Sequence, residues 1–156
     1  MAADVRCRPI SRVTSPGQRH DSLAFGPVLA GIRIRRRGPG RPRSHPDRVL
    51  ADKAYSSRRI RTRLRAKGIT ATIPERASQI AARAAKGIDG GRPPRFDPDI
   101  YKQRNTVERT INRLRAFRAV STRYDKRDYI FRGTIDVATI RIWLRDPVTE
   151  QLRDTP

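Results

Sequence analysis

Tyr101, Arg104, Glu108 and Arg115 recur at offsets of three, four and seven within one run of mixed polar and apolar residues. At 100° per residue these four fall within an arc of about 60° on one helix face. Val107, Ile111 and Leu114 form an apolar stripe beside that arc, while Lys102, Asn105, Arg109 and Arg113 point away. One carboxylate, Glu108, is thereby expected at the edge of a buried face with a guanidinium on either side along its own stripe. Such an acid either closes a salt bridge to Arg104 or Arg115, or holds a cation. Asp52 is the second acid of interest, because it ends the short apolar run Val49-Leu50-Ala51. An Asp at a strand end and a Glu on a helix are hard oxygen donors that suit Mg²⁺. Two such ions can activate an attacking oxygen and stabilise a leaving one in phosphodiester chemistry. The plainer alternative for Asp52 is an ion pair with Lys53 or an Arg.

These residues need elements to position them. Ala2 to Val5 and Ile10 to Val13 read as two strands around a turn at Arg8-Pro9, and Ser15-Pro16-Gly17 breaks the pattern. A helix is expected from Asp21 or Ser22 to about Arg33, weakened by Gly26-Pro27. Val49 to Asp52 suits a buried strand. Ser56 or Ser57 caps a helix over about 58–66 with Ile60 and Leu64 inward, and Gly68 ends it. Ile69 to Ile73 is a second strand, closed by Pro74. That β-α-β unit implies two neighbouring parallel strands with a crossover helix, and it puts Asp52 at the carboxyl end of a strand, where open α/β sheets keep their sites. Glu75 to Lys86 reads as a helix, the Tyr101 run as one helix over about 100–117, and Phe131, Ile135, Ala138 and Ile142, with Ile140, Trp143 and Leu144, as a last helix over about 129–145 whose stripe is core. Residues 35–48 and 87–99 are basic Gly/Pro/Arg loops.

The charge balance narrows the partner. Thirty-six Lys and Arg face fifteen Asp and Glu, a formal +21 on 156 residues, and Arg outnumbers Lys 31 to 5. A GC-rich coding bias accounts for the Arg/Lys ratio but not for the excess of cations. Such a chain repels itself at low salt and points to a polyanion, with nucleic acid foremost. The single Cys7 excludes an intramolecular disulfide and a cysteine zinc cluster. No apolar run is long enough to span a membrane and no signal-type apolar segment opens the chain, so a cytoplasmic protein is expected. There is no Walker loop, Gly-x-Ser-x-Gly or Cys-x-x-Cys, and His20 and His45 are too far apart for a ligand spacing, so cap or loop roles are expected of them.

Tyr101, Arg104, Glu108 and Arg115 together reproduce the Y-(2)-R-(3)-E-(6)-K signature of bacterial insertion-sequence DDE transposases, with Arg for the final Lys. Ala51-Asp52-Lys53-Ala54-Tyr55-Ser56-Ser57, Thr72-Ile73-Pro74, Gly91-Arg92-Pro93-Pro94 and Thr122-Arg123-Tyr124-Asp125-Lys126 resemble the same family, as does Thr14 to Ser22. The resemblance covers the chain from about residue 10. It implies an α/β, RNase H-like mixed sheet flanked by helices and a site of two Asp and one Glu binding two Mg²⁺ or Mn²⁺ ions. By the match Asp52 stands for the second Asp and Glu108 for the Glu. Arg104 and Arg115 would contact phosphate, and Tyr101 would orient terminal bases or backbone. The partners implied are transposon-end and target DNA in a bacterial, nucleoid-associated setting, with multimers usual.

The resemblance also implies a first Asp on a strand preceding the hairpin with which this sequence opens, whereas Asp4 aligns with the hairpin turn. The expectation is a partial catalytic domain over 1–146 with a tail at 147–156, lacking its first strand and first acid. Alone it would be incompetent: either the downstream half of a transposase whose upstream half lies in another frame, or a decayed copy. A different reading is a non-enzymatic nucleic-acid-binding protein. Arg37-Gly38-Pro39-Gly40-Arg41-Pro42-Arg43 holds a Gly-Arg-Pro core like that of AT-hooks, and Gly91-Arg92-Pro93 echoes it. Arg41 and Arg92 are accordingly expected to meet DNA, whether in a minor groove or, as basic surface loops do, on the backbone.

Overall fold

Two short apolar runs separated by one amphipathic stretch form the parallel pair that the β-α-β pattern predicts. In the computed structural model, which describes residues 1–145 apart from 16, 17, 19 and 37, Arg48–Leu50 (β3) pairs with Thr70–Thr72 (β4) in parallel, Val49 opposite Ala71. The crossover is the helix Arg58–Ala66 (α2). Its start is fixed by Ser57, whose Oγ accepts the Ile60 amide at 3.4 Å. Ile60 and Leu64, four apart, face inward, and Leu64 is fully buried with Ile73. Gly68 then turns the chain with φ +67°, a conformation that a side chain would strain. The expected tail at 147–156 and the Pro16-Gly17 break lie outside the described residues.

The chain divides into two compact units, Ser15–Asn105 and Met1–Thr14 with the stretch from Thr106 onward. In the Ser15–Asn105 unit the expected first helix is a 3-10 turn, Asp21–Ala24, followed by Phe25–Ala30 (α1). It stops three residues before Arg33. Ala77–Ala85 (α3) follows β4. Gln79 ties α3 to the start of α2: its Oε1 accepts from Ser56 Oγ at 2.8 Å, and its Nε2 donates to the Ser56 carbonyl at 3.2 Å. Arg83 grips Glu75 with two bonds of 2.6 and 2.7 Å. Arg61 is partly buried and donates to the Ile73 carbonyl at 2.8 Å. Its desolvation holds its pKa below the ordinary value, against the opposing pull of Glu75.

In the other unit Ala2–Ala3 (β1) and Pro9–Ser11 (β2) pair antiparallel. Their turn is built on Asp4, whose carboxylate accepts from the amides of Arg6 and Arg8 at 3.0 and 2.9 Å and from Arg8 Nε at 2.7 Å. Thr106–Arg115 (α5), Arg118–Thr122 (α6) and Asp128–Arg145 (α7) complete it. Leu114, Ile135, Ala138 and Ile142 form its core, with Phe117, Val120 and Phe131 against them. Trp143 donates to the Pro9 carbonyl at 2.8 Å, and the Arg8 guanidinium lies 4.1 Å over its ring.

Four further expectations change. The single helix over 100–117 is instead Pro98–Tyr101 (α4), a 3-10 turn at Lys102–Asn105, and α5. Asp97 starts α4 by accepting the amides of Asp99 and Ile100, and the weak helix formers Asn105, Thr106 and Val107 sit where the winding changes. On α5 Leu114 is inward as expected and is joined by Thr110, fully buried with its hydroxyl on the Thr106 carbonyl at 2.7 Å, while Ile111 is exposed. On α7, Ile140 and Leu144 are exposed rather than core. Among the described residues the β strands form two two-stranded pairs, one antiparallel and one parallel, where the resemblance implied one mixed sheet.

Leu64→Ala is expected to destabilise the protein by about 2–5 kcal/mol, read from urea unfolding, because it empties a fully buried site. The hydrogen bond from Arg83 holds the Glu75 carboxyl below its ordinary 4.5. A depressed folded-state pKa stabilises above the unfolded value and is lost as pH falls through the folded one. The stability advantage of the wild type over Glu75→Gln should therefore be constant near neutrality and shrink progressively below pH 4.5 in melts taken across the acid range.

Candidate catalytic and DNA-binding residues

The β3 strand ends at Leu50, and two residues later Asp52 opens a 3-10 turn, Lys53–Tyr55. Its backbone carbonyl accepts the Tyr55 amide at 2.9 Å. The turn is braced from 22 residues away: Arg76 donates from Nε to the Lys53 carbonyl at 3.2 Å and from Nη2 to the Ala54 carbonyl at 3.0 Å. The Asp52 backbone is thus fixed while its side chain, 45% exposed, faces out. Arg76 is a positioning residue that sequence reasoning missed, since an Arg among thirty-one carries no spacing signal.

Arg104 comes to Asp52 within the same unit. Its Nη2 lies 3.8 Å from Asp52 Oδ2, an ion pair longer than a hydrogen bond. At that separation, in a half-exposed site, the attraction is loose and open to competition from a cation on one side or a phosphate on the other. Tyr101, one turn earlier, ends α4 with its ring 5.3 Å from that of Phe96. The negative field of Asp52 is also felt at Tyr55. The Tyr55 hydroxyl is held above its ordinary 10.0 first by burial, then by the charge of Asp21, then by that of Asp52.

Glu108 belongs to the other unit and stands exposed in the first turn of α5, where the helix dipole favours an acid. Arg115 lies seven residues on, in the last turn of α5 and also exposed, so these two keep one face about 10 Å apart along the axis. Tyr101 and Arg104, by contrast, precede the change of winding and are not on the same α-helix as Glu108. The structure therefore brings Asp52 and Arg104 together in one unit and aligns Glu108 with Arg115 in the other.

Arg41 is exposed in the loop between Ile34 and Arg43, and Arg92 is exposed just after Gly91, which turns with φ +69°. The AT-hook-like stretch begins at Arg37, outside the described residues. Its described part is closed by the bridge between Ile34 and Arg43. His20 caps the 3-10 turn by accepting the Ser22 amide at 3.2 Å, as expected of a cap.

Asp52 and Glu108 each suit a hard divalent cation by donor chemistry, being carboxylates on a half-exposed and an exposed residue. Within neither unit do three or more His, Cys, Asp or Glu among the described residues gather as ligands. Asp4 is committed to its own turn by Arg6 and Arg8. No described helix is long and apolar enough to cross a membrane.

Comparison with known proteins bears on these residues. The family described as "Transposase DDE domain" matches residues 1–139. A Brucella ovis protein named "Putative transposase for insertion sequence element IS6501" is 27% identical over 139 residues, covering 88% of this chain and 89% of the relative. No solved structure matches the chain.

Asp52→Asn should lower the Tyr55 pKa toward, but not to, 10.0, because burial and Asp21 remain. Titration of ring-labelled tyrosine by NMR reads this directly. An unmoved Tyr55 would show that the Asp52 carboxylate does not face the turn as described.

Proposed function

The chain belongs to the transposase DDE domain family, and we propose that it supplies catalytic-core residues for metal-dependent cleavage and strand transfer of DNA, acting on transposon ends and target DNA. Membership indicates transposition, DNA as the substrate, and the divalent ions that this family generally uses. The observation that carries the catalytic reading is Asp52, fixed at the carboxyl end of a parallel strand with its carboxylate exposed and an Arg at 3.8 Å. A structural salt bridge would be shorter or more buried, as Glu75–Arg83 is.

In this reading Asp52 and Glu108 are the carboxylates that hold divalent ions. When bound, such ions activate the attacking oxygen and stabilise the leaving one. Arg104, only loosely paired with Asp52, would take a phosphate oxygen in a charge-assisted bond. Arg115 grips phosphate as a planar fork where the family signature has the compact ammonium of Lys. Tyr101 offers a ring edge and hydroxyl to orient the end of the strand, while Arg41 and Arg92 hold backbone. The protein would work on DNA in the bacterial cytoplasm, at the nucleoid.

A third carboxylate is the missing element of this proposal. Asp4 is locked into its hairpin turn by Arg6 and Arg8 and is not offered for that place.

Strand transfer by the protein on duplex end DNA tests the assignment. Asp52→Asn and Glu108→Gln should each lower it by about 10²-fold or more, the scale seen when a group stabilising transition-state charge is removed. DNA binding should remain. Full strand transfer by Glu108→Gln would sink the assignment.

A further inference from the structure

We propose that an open cleft at the foot of the basic 35–43 loop is a second DNA-backbone site, separate from Asp52 and Arg104. This rests on the reading of the protein as one that acts on DNA. The loop is not a free tether: Ile34 and Arg43 exchange both backbone hydrogen bonds at 2.8 Å, which closes it at its base. That staple sets Arg36 and Arg41 over the end of α2. Together with Arg43, His45 and Lys67 they line a cleft of about 360 Å³.

The chemistry of the lining selects the ligand. The cleft has the volume of a small ligand pocket but no large apolar side chain in its walls, so it does not suit the apolar small molecules such pockets usually take. Four cations face one carboxylate, Asp47. Asp47 is bound by Arg43, whose Nε also donates to the His45 carbonyl at 2.8 Å. Arg43 is therefore spent on shaping the wall, and Arg36, Arg41 and Lys67 carry the net charge. Lys67 Nζ sits 3.0 Å from His45 Nε2. Lys has no acceptor, so the ring nitrogen accepts and holds the ammonium at the cleft, leaving its other N–H groups for a ligand.

A polyanion rather than a single small anion is indicated by what continues the row. Arg59, Arg63 and Lys67 lie at i, i+4 and i+8 along α2, each about 6 Å further along the axis, and all three are exposed. An extended line of cations ending in a cationic cleft tracks a phosphate backbone and carries no base readout.

The test is fluorescence anisotropy with a mixed-sequence duplex of about one to two turns, titrated across 50–200 mM salt. Each phosphate contact contributes about 0.9 to the slope of log K against log salt. Arg36→Gln/Arg41→Gln/Lys67→Gln should make the slope shallower by about 2.7. Arg118→Gln/Arg141→Gln/Arg145→Gln, which removes equal charge from exposed positions elsewhere, should change it by less than about 0.5. Equal changes in both variants would mean that overall charge alone drives binding, and would overturn the site, as would an unchanged slope in the cleft variant. Arg36→Lys/Arg41→Lys keeps the charge and should keep the slope, which guards against a folding artefact. Inorganic phosphate at constant ionic strength should not displace the duplex; displacement would mark a small-anion site instead. Because binding is read without cleavage, failure here leaves the Asp52 and Glu108 assignment intact, and the reverse also holds.

Discussion

Excess positive charge is the constraint on which the rest of this structure depends. With thirty-six cations to fifteen acids, every carboxylate is surrounded by potential partners, and its use is a choice about where repulsion is relieved. Four acids are spent locally, Asp4 on Arg8, Asp47 on Arg43, Asp99 on Lys102 and Asp128 on Arg132. Two tie distant segments, Glu75 to Arg83 and Asp136 to Arg12. The exposed ones among these pairs are individually worth little, but each pair lowers the self-repulsion of a chain that carries a net +21. Against that pattern the Asp52 pair is the loose one, and a loose pair leaves a carboxylate usable.

The Asp52 turn is rigid for reasons that lie outside the turn itself. Leu64 and Ile73 bury the crossover helix and the segment after β4 together. Ser56, almost fully buried, and Gln79 then lock the start of α2 to α3. Arg76, at the entrance to α3, holds the carbonyls that follow Asp52. Packing thus fixes the backbone of the acid and leaves its side chain in water, which is the division of labour that a ligand-binding carboxylate requires.

Local signals were legible wherever one segment decides its own structure. Ser57, Ile60, Leu64 and Gly68 announce α2 and its ends because cap, stripe and stop are all encoded within twelve residues, and the parallel pairing follows from that crossover. The Asp4 hairpin and α7 were legible for the same reason. What depends on partners far along the chain was not: the Arg76 brace, the Ile34–Arg43 staple and the Lys67–His45 contact join residues 9 to 23 positions apart with no periodicity to betray them. Exposure of Ile140 and Leu144 was illegible in a different way. An apolar stripe shows which residues can be buried but not whether something is there to bury them.

The signature residues teach a further point about spacing. Offsets of three, four and seven invite a single helix face, and α5 honours that for Glu108 and Arg115. Yet the chain changes winding at Lys102–Asn105, and a 3-10 turn advances each residue by about 120° rather than 100°. Over four residues that is a rotation of about 80°, enough to move Tyr101 and Arg104 off the α5 face. Arg104 reaches Asp52 in an ion pair of 3.8 Å. A motif spaced like one helix can thus deliver its guanidinium to an acid more than fifty residues upstream. Within its own unit each acid has an arginine near it in the fold or along the helix: Arg104 beside Asp52, and Arg115 two turns beyond Glu108.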